Sequence, residues 1–264
     1  MLIDFHTHCF PDKIAAKAIQ KLSFVSGGLQ PYTDGTLEGI KASMHREGVD
    51  ISVVLGIATN GGQQQSVNDF AARLNEQEGI VAFGSVFPRS ADVLDELERI
   101  KELGLKGVKL HPDYQGFRVD EQMMKPIYRK ISELGLITVF HAGVDCGFAP
   151  PYGCMPENLA RALDWFDSPV IAAHWGGCAC YEGVIEHLCG KNVYFDTAFG
   201  YSHLPKVFAH KIIEKHGADK VLFGTDLPWH TAEMELRLLN TLGLSDDEMN
   251  KITHLNAKRL LKMG

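Results

Sequence analysis

Residues 106–111 read KGVKLH, residues 136–141 read LITVFH and residues 170–174 read VIAAH. Each of these three stretches is a short apolar run that ends in a histidine. Nearly continuous apolar runs are typical of parallel β-strands that are covered on both faces. The stretches therefore predict parallel strands that end in side chains able to bind a metal ion or to transfer a proton.

Five further runs of the same kind raise the number of predicted strands to eight, and they are residues 1–5, 51–57, 80–86, 193–197 and 220–226. Amphipathic segments separate the strands. In residues 90–104, Val93, Leu97 and Ile100 recur at helical spacing, and Ser90 is the predicted cap of that helix. The alternation favours a parallel α/β architecture, and 264 residues are close to the roughly 250 of a barrel of eight βα units. We therefore predict an α/β protein with the (β/α)₈ TIM-barrel fold.

The organisation of the chain indicates one domain. No tract rich in Pro, Ser and Gly and no block of charge divides it, so residues 1–264 are predicted to form a single barrel domain. The main irregularity is an insertion at about residues 9–35 after the first strand, in which DKIAAKAIQKL has a helical pattern. Long insertions at this place usually shape or cover an active site, and a surface decoration is the alternative. Near the end of the chain, Ser245 and Glu248 form a capping-box pattern at the start of the last helix.

Composition argues against several classes of protein. An apolar share of 45% with 22% charged residues is ordinary for a globular protein with a sizeable core. The net charge is −7 and no basic run is interleaved with aromatics, so we expect no nucleic acid as a partner. We see no basic-then-apolar leader and no apolar run near the roughly 18 residues of a membrane span, so we expect a cytoplasmic protein with no membrane partner. Six cysteines in a chain of this length indicate reduced thiols rather than a disulfide scaffold.

Polar residues that suit a metal ion occur at the ends of the predicted strands. His6 and His8 are two residues apart in the first strand, so their side chains point to the same face, here the barrel interior. His141, His174 and Asp226 end the fifth, sixth and eighth strands. Active sites of these barrels lie at the carboxyl ends of the strands, where a buried and unpaired His or Asp would be costly. Metal coordination satisfies both residue types, so the pattern predicts a metal site.

These motifs resemble those of the amidohydrolase superfamily. The resemblance runs through DFHTH, GVKLHP, HAG, AHWGG, YFDT and FGTDLPW and includes the closing NAKRLL helix. It is most similar to the amidohydrolase-related group that includes aminocarboxymuconate-semialdehyde decarboxylase. The order and spacing of the motifs are specific for the superfamily and much less specific for the substrate.

The resemblance implies a role for each of these residues. The metal ligands that it implies are His6, His8, His141 and Asp226. His174 matches a sixth-strand histidine that contacts the metal-bound water or the substrate in members with one metal ion. His174 and Asp226 are therefore the expected catalytic residues.

The number and kind of metal ions follow from the same comparison. Other members of the superfamily hold two ions bridged by a carboxylated lysine, and Lys109 is the candidate for that role here. The KLHP context is more similar to the mononuclear group, so one ion is expected rather than two. Zinc suits the imidazole and carboxylate ligands, and Mn²⁺ or Fe²⁺ are alternatives for the same site.

The expected activity depends on how the metal ion is used. Zinc lowers the pKa of bound water to about 7, which predicts a hydrolase of a small molecule with an amide, ester or lactone bond. The alternative is a non-oxidative decarboxylase of a small unsaturated or aromatic carboxylic acid, because GTDLP nearly reproduces a motif of that group. A third hypothesis is a non-catalytic barrel for binding or assembly, and the complete set of ligands argues against it. A homo-oligomer is common on this fold.

Five residues are candidates for contact with the small-molecule substrate. Lys109 and His111 lie together at the end of the fourth strand. Arg89 follows the third strand and could bind a substrate carboxylate through two hydrogen bonds. Trp175 and Trp229 follow the sixth and eighth strands and could form walls of the pocket, with plain packing as the alternative.

Overall fold

Eight parallel strands form the centre of the computed structural model, which describes residues 1–263. All eight strands predicted from the sequence are confirmed, although most are shorter than predicted. They are β1 (Ile3–Thr7), β2 (Ile51–Leu55), β3 (Ile80–Phe83), β4 (Gly107–Leu110), β5 (Ile137–Phe140), β6 (Val170–Ala172), β7 (Tyr194–Asp196) and β8 (Val221–Leu222).

The strands close into a ring through two seams. Strands β1 to β3 form one sheet in sequence order, and strands β4 to β8 form a second one. At the first seam the backbone N–H of Gly84 donates to the carbonyl of Gly107 over 2.9 Å. At the other seam the N–H of Phe5 donates to the carbonyl of Phe223 over 2.8 Å. Backbone hydrogen bonds therefore join the two sheets at both edges, which confirms the predicted barrel.

Helices cover the outside of the ring. The helix expected in residues 90–104 begins at Val93 with Asp92 at its N-cap, so the predicted cap at Ser90 is wrong, because the Ser90 hydroxyl donates to the Asp92 carboxylate instead. The capping box of Ser245 and Glu248 is confirmed.

Among residues 1–263, no helix is both long and apolar enough to cross a membrane. The helices are α1 (Asp12–Val25), α2 (Leu37–Glu47), α3 (Gln64–Leu74), α4 (Val93–Glu102), α5 (Pro112–Gln115), α6 (Met124–Glu133), α7 (Pro156–Ala162), α8 (Tyr181–His187), α9 (Gly200–His203), α10 (Lys206–His216), α11 (Ala232–Leu239), α12 (Asp246–Asn250) and α13 (Asn256–Leu261), with a π-helical segment at Lys251–Leu255 between the last two.

The segment between β1 and α2 contains helix α1, as the helical pattern in this part of the sequence predicts. The N–H of Phe10 donates to the carbonyl of Gly35 over 2.8 Å and closes the segment at its base. The N–H of Tyr32 donates to the carbonyl of Pro228 over 2.7 Å. Because Pro228 follows β8, this contact holds the segment against the end of the barrel at which the strands terminate.

Side chains of the strands alternate between the barrel interior and the layer beneath the helices. Val53 and Leu55 of β2 belong to the interior cluster together with Val139 of β5, whereas Val54 packs in the outer layer. In β4, Lys109 is the register partner of Val139. The same alternation therefore places Lys109 inside the barrel, where only 1% of its surface is exposed.

Strand β1 contains a β-bulge that changes which side chains face the interior. Asp4 pairs with Ser52 and Thr7 pairs with Val54, so β1 has one more residue than β2 over this interval. One extra residue reverses the alternation of side chains beyond it. Phe5 can therefore lie in the interior cluster while His6, the next residue, also points inwards, with none of its surface exposed.

A methyl group at Gly107 would disturb the seam between β3 and β4. A Cβ atom there would lie 2.4 Å from Cε2 of Phe83 and 2.5 Å from the carbonyl oxygen of Ile137. We expect Gly107→Ala to lower the free energy of unfolding by about 1–3 kcal/mol, as overpacking of a core does. Urea denaturation measures the change. Gly62→Ala is the control, since its nearest neighbour would be a side-chain oxygen of Asn60 at 3.4 Å, and a loss at Gly107 no larger than in this control would contradict the prediction.

Candidate metal centre

Three side-chain atoms converge at the carboxyl ends of β1 and β8. The Nε2 atoms of His6 and His8 lie 3.2 Å apart. Oδ1 of Asp226 lies 3.2 Å from the first of these nitrogens and 3.0 Å from the second. Ligand atoms about 3.3 Å apart surround a tetrahedral zinc ion with bonds of about 2.0–2.1 Å. The spacing of the three atoms therefore fits a metal site.

The protonation of the two imidazoles supports the same conclusion. Nδ1 of His6 lies 2.8 Å from Oδ2 of Asp196, and Nδ1 of His8 lies 2.8 Å from the carbonyl oxygen of Leu55. Both partners only accept hydrogen bonds, so each Nδ1 carries the proton and each Nε2 presents a lone pair. Two lone pairs and a carboxylate oxygen would repel one another without a cation. Imidazoles held from behind in this way are typical of metal ligands.

The surroundings of His6 and Asp226 oppose protonation of their ligand atoms. Burial, together with the charge of Lys109, lowers the pKa of His6 to about 3, although Asp196 and Asp226 oppose the shift. Burial raises the pKa of Asp226, but the adjacent imidazoles of His8 and His6 outweigh it and hold that pKa well below its usual range. A metal ion is therefore the cation that the donor set fits.

Two further histidines extend the group. His174 comes from the end of β6, and one of its ring nitrogens belongs with His6 and Asp226 to a set of ligand atoms that all lie within 4.8 Å of one another. Nδ1 of His141 lies 3.0 Å from Nε2 of His174. The structure thus places His141, expected as a ligand, directly beside His174, expected as a catalytic residue. Nε2 of His141 is buried and has no hydrogen-bond partner.

His111 stacks on His141, with ring centroids 4.1 Å apart and planes 10° apart. Its Nε2 lies 3.1 Å from Oδ2 of Asp145, which follows β5. Burial lowers the pKa of His111 well below its ordinary value, so the ring is neutral. His111 and His174 therefore both contact His141, and His174 also lies beside His6 and Asp226.

Lys109 brings a buried positive charge to the same place. Its Nζ lies 3.4 Å from Nε2 of His6. Burial lowers its pKa to about 8, opposed by the charges of Asp196 and Asp226, so the ammonium form predominates at neutral pH. Within residues 1–263 no carboxylate oxygen lies within 4.0 Å of this nitrogen.

Backbone geometry at the strand ends directs two of these side chains. His174 and Asp226 have φ angles of 58° and 70°, in the left-handed region that residues other than glycine seldom adopt. Asp4 fixes the backbone before Asp226, since its carboxylate accepts the N–H of Thr225 over 3.0 Å and the Thr225 hydroxyl over 2.6 Å. Strained residues of this kind cluster at functional sites.

Two of the residues proposed for substrate contact have other surroundings. Trp175 has no exposed surface and its indole N–H donates to the carbonyl of Thr197, so it packs within the fold and forms no wall of the pocket. Arg89 donates to the carbonyl of Gly116 over 3.0 Å, which fixes its guanidinium group to a neighbouring loop and not to the ligand group. Trp229 is 9% exposed, and its contact with a substrate stays a prediction.

Several polar residues near the centre were not singled out from the sequence. Asp196 lies in the YFDT motif, and its position at the end of β7 is the signal that could have indicated it. Asp145 lies in a loop, and nothing in the sequence around it indicates a functional role. Beside them, His230 joins Oγ of Ser202 at 3.0 Å to the buried carboxylate of Glu235 at 2.6 Å.

Asp196→Asn should weaken metal binding without disturbing the backbone. Oδ1 of Asp196 accepts the N–H groups of His174 and Ala198, and an asparagine oxygen can keep both bonds. The amide nitrogen would then face Nδ1 of His6 and favour the tautomer whose Nε2 carries the proton. We expect zinc affinity to fall about 10–100-fold, measured by competition with a chromophoric chelator. Asp219→Asn, at a surface ion pair with Lys251, is the control, and equal zinc affinity in both variants would contradict the proposed ligand role of His6.

Solved structures of similar fold cover nearly the whole chain. An uncharacterised TIM-barrel protein from Bordetella bronchiseptica has a TM-score of 0.77 at 21% identity, over 99% of this chain and 98% of that one. The 5-carboxyvanillate decarboxylase LigW from Sphingomonas paucimobilis has a TM-score of 0.74 at 16% identity, over 100% and 99%. A 2,6-dihydroxybenzoate decarboxylase from Rhizobium has a TM-score of 0.73 at 15% identity, over 99% and 98%. At these identities the similarity establishes the fold alone.

The sequence itself identifies the family. No curated protein matches the chain at a significant level. The family described as Amidohydrolase matches residues 3–263, which is almost the entire chain. The eight-stranded barrel and the acidic and histidine side chains at its carboxyl end agree with that match, and the chain belongs to the amidohydrolase family of enzymes.

Proposed function

We propose that this enzyme is a metal-dependent, non-oxidative decarboxylase of a small unsaturated or aromatic carboxylic acid. The observation that carries the proposal is the buried ammonium group of Lys109, 3.4 Å from Nε2 of His6 and without a carboxylate partner among the described residues. A buried charge without a counter-charge is costly. The carboxylate of a substrate would supply that counter-charge next to the metal ligands.

Two of the similar structures support this substrate class. Both are named as decarboxylases, one of 5-carboxyvanillate and the other of 2,6-dihydroxybenzoate, and both substrates are carboxylic acids on an aromatic ring. Their names support loss of carbon dioxide over hydrolysis of an amide, ester or lactone.

Aromatic side chains beside His111 suit a planar substrate. The rings of His111 and Tyr114 meet edge to face with centroids 4.6 Å apart, and Tyr114 meets Phe148 in the same way at 4.8 Å. Such rings form a flat, partly polar wall that favours contact with another unsaturated ring.

The metal site of the proposal uses His6, His8, His141 and Asp226 as ligands of one ion. Zinc fits this donor set, and Mn²⁺ or Fe²⁺ are compatible with the same nitrogen and oxygen atoms. When bound, the ion supplies a Lewis acid that withdraws electron density from the substrate. The coordinating atoms and the ammonium group of Lys109 face the same interior space.

The proposed reaction breaks the bond between the carboxyl carbon and the rest of the substrate. Carbon dioxide leaves, the bonding electron pair stays on the substrate carbon, and one proton must be added there. We assign delivery of the proton to Nε2 of His174. Its Nδ1 faces the carbonyl oxygen of Ala198 at 3.3 Å, which orients the ring. Burial lowers the pKa of His174, although the charges of Asp226 and Asp196 oppose the shift, so the resting ring is neutral and Nε2 takes a proton from water before it delivers one to the carbon.

Hydrolysis is the second candidate, and the state of Asp226 favours it. This carboxylate is held ionised beside the metal ligands and could accept a proton from a water molecule as that water attacks a carbonyl group. The two candidates differ in products. A decarboxylase releases carbon dioxide and adds one solvent hydrogen to carbon, whereas a hydrolase consumes water and releases an acid with an amine or alcohol.

A product assay with metal-depleted and reloaded enzyme tests the proposal. The protein is stripped with a chelator, reloaded with Zn²⁺, Mn²⁺ or Fe²⁺, and its metal content measured by elemental analysis. Each form is incubated in D₂O with a panel of aromatic and unsaturated acids that begins with 2,6-dihydroxybenzoate and 5-carboxyvanillate. Release of carbon dioxide with one deuterium at the former carboxyl position supports the lyase. Turnover of esters, lactones or amides without release of carbon dioxide would favour the hydrolase instead.

Lys109→Met should impair binding of the substrate carboxylate. Methionine keeps much of the length of the lysine chain and removes the charge. Hydrogen bonds to charged groups are worth about 1.5–3 kcal/mol, which corresponds to a rise in KM of roughly 10- to 150-fold. Lys101→Met, on the outer face of α4, is the matched control. An unchanged KM in Lys109→Met, measured on whichever acid of the panel is turned over, would show that Lys109 does not bind the carboxylate.

A further inference from the structure

Asp145 joins the loop after β5 to two histidines of the metal centre. Its Oδ2 lies 3.1 Å from Nε2 of His111 and 3.9 Å from Nε2 of His141. Its Oδ1 accepts the backbone N–H of Gly147 over 2.7 Å, which shapes the loop itself. One carboxylate thus contacts the loop through one oxygen and the stacked imidazoles through the other.

The three side chains His111, His141 and Asp145 bring their ligand atoms within 4.8 Å of one another, but the rings are badly arranged for a second metal ion. A metal ion lies close to the plane of each imidazole that binds it, at about 2.0–2.1 Å from the nitrogen. The rings of His111 and His141 are stacked 4.1 Å apart and nearly parallel, so their lone pairs do not converge. The carboxylate can act on both rings through its charge, since Oδ2 of Asp145 lies 3.1 Å from Nε2 of His111 and 3.9 Å from Nε2 of His141.

The tautomer of His141 decides whether it can bind the metal ion. If Nδ1 carried the proton, the Nε2 lone pair would be buried and directed towards the negative Asp145, and this atom has no donor elsewhere. If Nε2 carries the proton, the N–H faces the negative carboxylate of Asp145 at 3.9 Å, and the lone pair of Nδ1 points towards Nε2 of His174, 3.0 Å away. Nδ1 of His174 faces the carbonyl oxygen of Ala198, so that Nε2 also presents a lone pair. The lone pairs of His141 Nδ1 and His174 Nε2 then face each other, as the lone pairs of the Nε2 atoms of His6 and His8 do.

We propose that Asp145 is a positioning residue that fixes His141 as the Nε2-protonated tautomer and thereby completes the metal centre. The assignment rests on the metal centre of the proposed function and not on which reaction it catalyses. Asp196 acts on His6 in a similar way, but through a hydrogen bond of 2.8 Å, whereas Asp145 acts on His141 through its charge. The difference is that Asp145 belongs to a loop, so the position of that loop is coupled to the coordination of the ion.

Asp145→Asn separates the two roles of the carboxylate. An asparagine has one acceptor oxygen, which can keep the N–H of Gly147, and its amide nitrogen then faces the imidazoles and cannot accept their protons. In Co²⁺-loaded protein we expect a changed visible absorption spectrum, because His141 no longer binds as before. We also expect about 10–100-fold weaker Co²⁺ binding in competition with a chelator.

Asp113→Asn is the matched control. Oδ1 of Asp113 accepts the N–H of Gly153 over 2.8 Å near the other end of the same loop, and its carboxylate has no imidazole partner within 4.0 Å among residues 1–263. We expect this variant to keep the spectrum and the Co²⁺ affinity of the wild type. An Asp145→Asn protein that also keeps both would overturn the assignment.

Histidine nitrogen NMR of the wild type makes the test independent of whether Asp145→Asn folds. The signals of His141 in zinc-loaded protein are identified by their loss in His141→Gln. A proton on Nε2 supports the proposal, and a proton on Nδ1 overturns it. If the wild type binds neither Co²⁺ nor Zn²⁺, the metal centre itself fails, and that outcome is distinct from a wild type that binds metal with no role for Asp145.

Discussion

The structure depends on holding three mutually repelling atoms, Nε2 of His6, Nε2 of His8 and Oδ1 of Asp226, within 3.0–3.2 Å of one another. None of the three carries a proton that could join it to another, so the arrangement needs a cation. The fold holds them from behind: Asp196 and the Leu55 carbonyl fix the imidazoles, and Asp4 with Thr225 fixes the backbone beside Asp226. Each of these supports lies on a different strand, so closure of the barrel is what brings them together.

The sequence was sufficient for the architecture because the evidence for it is local. Eight apolar runs separated by amphipathic helices specify the barrel wherever the exact ends of the strands lie. The strand-end histidines and Asp226 could be identified in the same way, since strand ends share one edge. What the alternation of side chains could not predict is how His6 points inwards when Phe5 also does, because that depends on the β-bulge between Asp4 and Thr7.

The contacts beyond the strands were harder to predict because they depend on loop conformation. Trp175 and Arg89 are suitable residue types at suitable places in the sequence, yet a φ angle of 58° turns Trp175 into the core and the Gly116 carbonyl holds Arg89 away. Asp145 was missed for the opposite reason. Nothing in its sequence context distinguishes it from any other loop aspartate, and its importance appears only when the loop folds back over His111 and His141.

The low exposure of the centre agrees with the proposed loss of carbon dioxide. The side chain of His6 is 1% exposed, and those of Asp226 and His8 are 15% and 16% exposed. A carboxylate that moves from water to this environment exchanges its hydration shell for the fixed charges of Lys109 and the metal ligands. Carbon dioxide is neutral and is not held by those charges, so it can leave once its bond to the substrate has broken. Hydrolysis has a different requirement, because a water molecule must enter and be activated at the same atoms. The burial that makes Lys109 a costly cation when it is alone also strengthens its attraction for a substrate carboxylate.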